Sequence, residues 1–114
     1  MSLEARLRQL GLELPPPRIP PPGHVAVSME GNLAWTSGLL PWAGDRLEMA
    51  GRVGIELSLA EGQAMARSCC LNALSALRHA LGSLDRLKRV VKVTGFISSA
   101  PDFYDQSLVL DGAS

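Results

Sequence analysis

The tetrad Ser58-Leu59-Ala60-Glu61 constrains this chain more than any other feature, because it has the form of a capping box. The serine oxygen and the glutamate carboxylate each satisfy a backbone N–H that a helix start leaves without a partner. It predicts a long helix over residues 59–81, stopped by Gly82. Within that span Ala66, Cys70, Ala73, Leu74, Leu77 and Leu81 fall on one stripe at helical spacing, and Arg67, Arg78 and His79 lie largely outside it. The small members of the stripe would let the helix lie close on a sheet, so the stripe reads as core and not as a cofactor box.

Ahead of this helix the hydrophobic period is two. Val25, Val27 and Met29 alternate with Ala26 and Ser28, and Gly31-Asn32 supplies the positive dihedrals of a tight turn. A β-hairpin therefore opens the domain, with a return strand over residues 33–38 that carries Trp35 and Ser37 and ends before Pro41, which has no N–H to give a ladder. Gly44-Asp45 turns the chain into a weaker strand over residues 47–50, and Gly51 and Gly54 flank a further bend.

After the helix comes a charged turn with Asp85, Arg86, Lys88 and Arg89, read as solvated and not as an RNA site. Residues 90–97 are β-branched and apolar enough for an interior strand. Pro101 suits the first turn of a second helix, with Phe103 and Leu108 available to pack. The order strand, strand, strand, helix, strand, helix predicts an α+β fold, with helices segregated on one face of a mostly antiparallel sheet. Such a sheet normally has another strand or two after its second helix, and without them the edge of the 90–97 strand is open or needs a partner.

At the N-terminus, residues 3–10 form a short helix closed by Gly11. Six of the eight prolines then fall between Pro15 and Pro22, a run that favours extended polyproline geometry. It reads as a rigid arm along the domain surface, with a ligand for a proline-reading module as the sharper alternative. Residues 1–23 are thus a helix and proline-rich arm, and residues 24–114 are the domain.

With 114 residues and 46% hydrophobic content, the chain supports one core. Lysine plus arginine equal aspartate plus glutamate at 11 each, so no positive field favours nucleic acid or an anionic membrane. No apolar run approaches the roughly 20 residues that cross a bilayer, and Glu4, Arg6 and Arg8 stand where the apolar stretch of a signal peptide would begin. A cytoplasmic protein is expected. Cys69 and Cys70 are adjacent within the helix, where side chains diverge by about 100° and cannot bridge comfortably, so they are read as reduced core thiols.

The motif Gly31-Asn32-Leu33 leading to Thr36-Ser37-Gly38, with Pro41 beyond, resembles the first hairpin of the RidA family, also called YjgF-like or endoribonuclease L-PSP. Further pieces resemble the family in the same order. They are Gly51-Arg52-Val53-Gly54, Glu61-Gly62-Gln63-Ala64, Leu71-Asn72-Ala73-Leu74, the run from Val90 to Phe96, and Pro101-Asp102-Phe103. With the leader Leu10-Gly11-Leu12-Glu13-Leu14-Pro15, the likeness is greatest to an N-terminally extended branch of unsettled function.

The resemblance implies a chorismate-mutase-like subunit with its C-terminal strands missing, a homotrimer, and a small-molecule cleft at each subunit interface. It implies no cofactor and no metal. Members of the family hydrolyse reactive enamines and imines. An arginine holds the substrate carboxylate and a glutamate helps activate water; both come from the last strands and have no counterpart in this chain. Ser37 matches the family's cleft serine, His24 stands where a cleft tyrosine is usual, and Ser107 falls near a cleft asparagine.

Three functions follow. One is recognition of a small carboxylate or amide metabolite without turnover. A second is imine or enamine deamination, for which Arg46, Arg52 and Arg67 are the conceivable substitute cations. The third is RNA cleavage, which needs an acid and base pair at the scissile phosphate; His24 and His79 are the only histidines.

Overall fold

The structure is a computed structural model and describes residues 2–114. In chain order it contains α1 (Leu3–Gln9), β1 (Val27–Glu30), β2 (Leu33–Thr36), β3 (Trp42–Ala43), β4 (Arg46–Leu47), α2 (Leu59–Leu81), a 3-10 turn (Leu84–Arg86) and α3 (Gln106–Leu110). The residues form two compact units. Met1–Leu39 with Leu71–Val91 make the first, and Leu40–Cys70 with Lys92–Ser114 make the second.

In the first unit, Ser2 caps α1 by accepting the N–H of Ala5. Gly11 follows with φ 68°, the left-handed stop expected at a helix end. Leu7 of α1 is buried with Ala76 of α2 and Leu84, which is 1% exposed at the head of the 3-10 turn. The proline-rich arm is tied down where the Ser75 hydroxyl donates to the carbonyl of Pro15. This bond accounts for a serine that is only 4% exposed, since a buried hydroxyl needs a partner.

The hairpin of this unit is antiparallel, with Val27 opposite Thr36, Ser28 opposite Trp35, Met29 opposite Ala34 and Glu30 opposite Leu33. Gly31, at φ 56°, makes its turn.

In the second unit the capping box is present on both sides. The Ser58 N–H donates to Glu61 Oε1 at 3.0 Å, and the Glu61 N–H donates to Ser58 Oγ at 3.1 Å. The core is Val53, Ala100 and Val109, packed where Gly62 leaves α2 without a side chain. A Cβ on Gly62 would lie 3.0 Å from Val53 and 3.2 Å from Val109, which explains why a helix interior carries this residue. Val53 forms parallel bridges to Leu57 and Ser99, and β3 pairs antiparallel with β4 through Trp42 opposite Leu47.

Five expectations need correction. Residues 90–97 form no ladder: among the described residues none of 88–97 makes a backbone–backbone hydrogen bond, because nothing offers the matching edge. The strands are accordingly two separate hairpins, antiparallel as expected but not joined into one sheet. The strand placed at 47–50 is instead the short pair β3 and β4 around Gly44-Asp45.

Pro101 starts a turn, and the helix begins only at Gln106, whose side chain donates to the Phe103 carbonyl and to Ser99 Oγ. Finally, the most buried residues of α2 in the first unit are Asn72, Ser75 and Ala76, whereas the expected Ala73, Leu74 and Leu77 are half-buried. The cause is visible in what packs there: the arm at Ser75 and α1 at Arg78.

Candidate functional site

The first hairpin positions two of the three candidate residues. Beyond the last rung of β1 and β2, the Ser37 N–H donates to the Ala26 carbonyl at 3.0 Å and extends the pairing by one position. Two residues before Ala26, the His24 N–H donates to the Pro21 carbonyl at 3.1 Å, closing a turn that Gly23 permits with φ 86°. His24 and Ser37 thus stand on the two chains at the same open end of the hairpin, and both are exposed.

Directly opposed residues of an antiparallel pair share a face, so Ser37 shares the face of Trp35 and Leu33 by the alternation of the strand. Trp35 is 58% exposed there. A hydroxyl and an open indole on one face can together hold a small planar polar group, one by hydrogen bonding and one by stacking.

Ser107 lies in the second unit, on α3, where its carbonyl accepts the Asp111 N–H at 3.1 Å and its side chain is exposed. The structure therefore brings His24 and Ser37 to one hairpin end, and it places Ser107 on a different element of the other unit.

The substitute cations differ in availability. Arg52 is committed to Glu56 by a 3.4 Å ion pair, and its backbone N–H also donates to that carboxylate at 2.8 Å. This backbone donor is the main reason the Glu56 carboxyl is held below its ordinary range. Arg46 on β4 and Arg67 on α2 are exposed. His79 lines an open recess of about 290 Å³ with Pro15, Pro16, Pro17 and Ser75, and His24 is not part of it.

A second recess, about 430 Å³ and without a local motif to announce it, is formed by α1, the start of the arm and Arg78. Of its two cations, Arg8 and Arg78, the second is already used. Arg78 donates from Nε to Glu4 Oε1 at 3.1 Å and from Nη2 to Glu4 Oε2 at 2.6 Å, and the Leu84 N–H adds a third bond to Glu4 at 3.1 Å. The Arg78 hydrogen bond first, and the Leu84 N–H second, hold the Glu4 carboxyl below its ordinary range. Arg78 and Glu4 thus form a structural clamp whose partners, 74 residues apart, carry no local sequence signal.

Cys69 and Cys70 are free and half-buried. Burial pushes both thiols up, and proximity to Cys70 adds to the effect at Cys69, in keeping with inert core thiols. Among the described residues no group of three or more histidine, cysteine, aspartate or glutamate side chains could hold a metal ion, and no helix is long and apolar enough to cross a membrane.

The family model described as "YjgF/chorismate_mutase-like, putative endoribonuclease" matches residues 4–114. The chain is 43% identical over 110 residues to protein TCP17 of Trypanosoma cruzi, covering 96% of this chain and 69% of that one. Among solved structures it is similar to protein Atu1372 of Agrobacterium tumefaciens, a protein of unknown function, at 36% identity and a TM-score of 0.85, covering 98% of this chain and 68% of that chain. A Shewanella oneidensis MR-1 protein, which carries the same endoribonuclease description as the family model, superposes with a TM-score of 0.92 at 31% identity, covering 99% of this chain and 75% of the other.

Proposed function

Because the chain belongs to the YjgF/chorismate mutase-like family and has its fold, we propose that it acts as a cytoplasmic homotrimer that binds a small carboxylate or amide metabolite at the subunit interface, with His24, Ser37 and Ser107 in the lining. The observation that carries the reading is the convergence of His24 and Ser37 on the open end of one hairpin, on the edge of a face that leaves Trp35 exposed. The Ser37 hydroxyl both donates and accepts, so it serves a carboxylate or an amide. The exposed His24 ring offers one donor and one acceptor nitrogen.

Recognition without turnover fits the residues better than hydrolysis, because a substrate carboxylate held for imine chemistry calls for a forked cation. Arg52 is paired to Glu56, and neither Arg46 nor Arg67 belongs to the hairpin that carries His24 and Ser37. Titration calorimetry with a short-chain 2-oxo acid and with its primary amide tests the proposal. Heat that saturates for the unaltered chain and is lost in Ser37→Ala supports it; identical curves for both proteins reject the assigned site. Release of ammonia from a freshly generated enamine, in the same preparation, would move the reading to a deaminase.

The description of the family and of the Shewanella protein favours RNA cleavage as a second reading. Equal numbers of acidic and basic residues weigh against it, since phosphate binding gains chiefly from clustered cations. Cleavage of a labelled single-stranded RNA that His24→Ala abolishes would establish it.

A further inference from the structure

The recess formed by α1, the start of the arm and Arg78 has fixed walls. Behind α1 the Gly11 N–H donates to the Arg8 carbonyl at 3.0 Å and the Leu12 N–H to the Leu7 carbonyl at 2.9 Å, which folds the chain back on its own helix. Beyond Leu14, the Ser75 hydroxyl holds the Pro15 carbonyl. The wall that carries Leu12, Glu13 and Leu14 is thus tied at both ends, and a wall already ordered adds little ordering cost to binding. A volume of about 430 Å³ lies in the range of small-ligand sites.

The charges of this recess divide into a closed pair and two open groups. Glu4 and Arg78 answer each other through two hydrogen bonds. Arg8 and Glu13 are different: both are exposed, both line the recess, and the side chain of neither makes a hydrogen bond or ion pair with another described residue. Arg8 also helps to lower the Glu4 carboxyl, but that carboxylate already has its partner. The rest of the lining is apolar, with Leu7 buried and Leu12 and Leu14 half-buried.

We propose that the recess binds the zwitterion of an aliphatic α-amino acid, with its carboxylate on Arg8, its ammonium on Glu13 and its side chain against Leu7, Leu12 and Leu14. A guanidinium meets a carboxylate as a two-pronged donor, and an ammonium brings three N–H groups to a carboxylate acceptor. A simple carboxylic acid answers only Arg8 and sets its own charge near Glu13 with nothing to offset it; an amine has the converse fault at Arg8. Two cations and two anions line the recess, so a ligand without net charge suits it better than either ion.

Neither His24 nor Ser37 lines this recess, and the proposal does not depend on the site assigned to them. Titration calorimetry on the full chain with L-leucine tests it, beside three analogues that each lack one part. Glycine lacks the side chain, 4-methylpentanoate the ammonium, and 3-methylbutylamine the carboxylate. Saturable heat is expected with leucine, and each analogue should bind about tenfold more weakly or worse. Arg8→Gln and Glu13→Gln, at exposed positions and checked for fold by circular dichroism, should each weaken leucine about tenfold. Glu13→Gln should also bring 4-methylpentanoate level with leucine, which a merely structural role for Glu13 would not do. Ser37→Ala should leave the leucine curve unchanged. No heat with leucine, any analogue binding the unaltered chain as well as leucine does, or leucine binding that survives Arg8→Gln overturns the proposal, whatever the 2-oxo acid titration of the hairpin site shows.

Discussion

Glu4 and Arg78 meet side by side, two guanidinium nitrogens on two carboxylate oxygens, at 3.1 and 2.6 Å. The pair joins the first turn of α1 to the last turns of α2, and the Leu84 N–H closes the arrangement from the 3-10 turn. What fastens the N-terminal arm is therefore a bidentate, charge-assisted contact of the kind that fixes geometry as well as adding energy.

Glu4 titrates lower in the folded chain than in the unfolded one, so its contribution to stability is fully present above the unfolded glutamate value. It is lost as pH falls through the lowered folded value. The charges around it are Arg78 on α2, Arg8 on its own helix and Asp85, which accepts the Glu4 N–H. The protection factor of the Leu84 amide, its exchange relative to the unfolded chain at the same pH, should fall on acidification below the ordinary carboxylate range, and Glu4→Gln should show the low protection already at neutral pH. Equal protection in the two proteins at pH 7 would show that the clamp does not hold the arm.

The reciprocal bonds between Ser58 and Glu61 stabilise the start of the longest helix. Ser58→Ala should lower stability by about 1 kcal/mol, the usual loss of an N-cap hydroxyl. Urea melts of the two proteins read this as a shift in midpoint at constant slope.

Two glycines should respond oppositely to a methyl group. A Cβ on Gly112 would run into the backbone carbonyl of Gln63 on α2, which cannot swing aside, whereas a Cβ on Gly38 meets nothing within 4 Å. Gly112→Ala should cost about 1–3 kcal/mol or more by overpacking, and Gly38→Ala should leave the melting temperature unchanged. Thermal melts of the pair, run together, separate the two.

Both cysteine thiols are raised by burial, so the nucleophilic thiolate is scarce at neutral pH. Iodoacetamide should alkylate the folded chain much more slowly than the urea-unfolded chain, and the folded rate should climb with pH above the ordinary thiol range. Equal rates in the two states would remove both residues from the core.

Much of this architecture was legible in local chemistry. Ser58 and Glu61 announced the start of α2 and Gly82 its end, while Gly31-Asn32 announced the hairpin, because each is a short-range device whose geometry is fixed within a few residues. Expectations failed where the deciding partner is distant in sequence. Residues 90–97 have the composition of a strand, yet a strand exists only with a neighbouring edge, and none of the described residues supplies one. The buried residues of α2 in the first unit differ from the expected stripe because Pro15 and Glu4 pack there, and nothing in the helix itself encodes their approach.

The candidate site divides along the same line. Ser37 continues the hairpin register past its last rung, which the period-two pattern contains, whereas His24 stands just outside that register in the turn closed on Pro21. Ser107 rests on an element whose start, Gln106, the pattern around Pro101 had placed five residues too early.

The most direct test of the proposed function is a map of backbone amide shifts in the full chain as a short-chain 2-oxo acid is added. The account predicts saturable shifts at His24, Ser37 and Ser107, with the indole N–H of Trp35 moving at the same ligand concentration. Shifts confined to other elements, or none at saturating acid and amide, would contradict it.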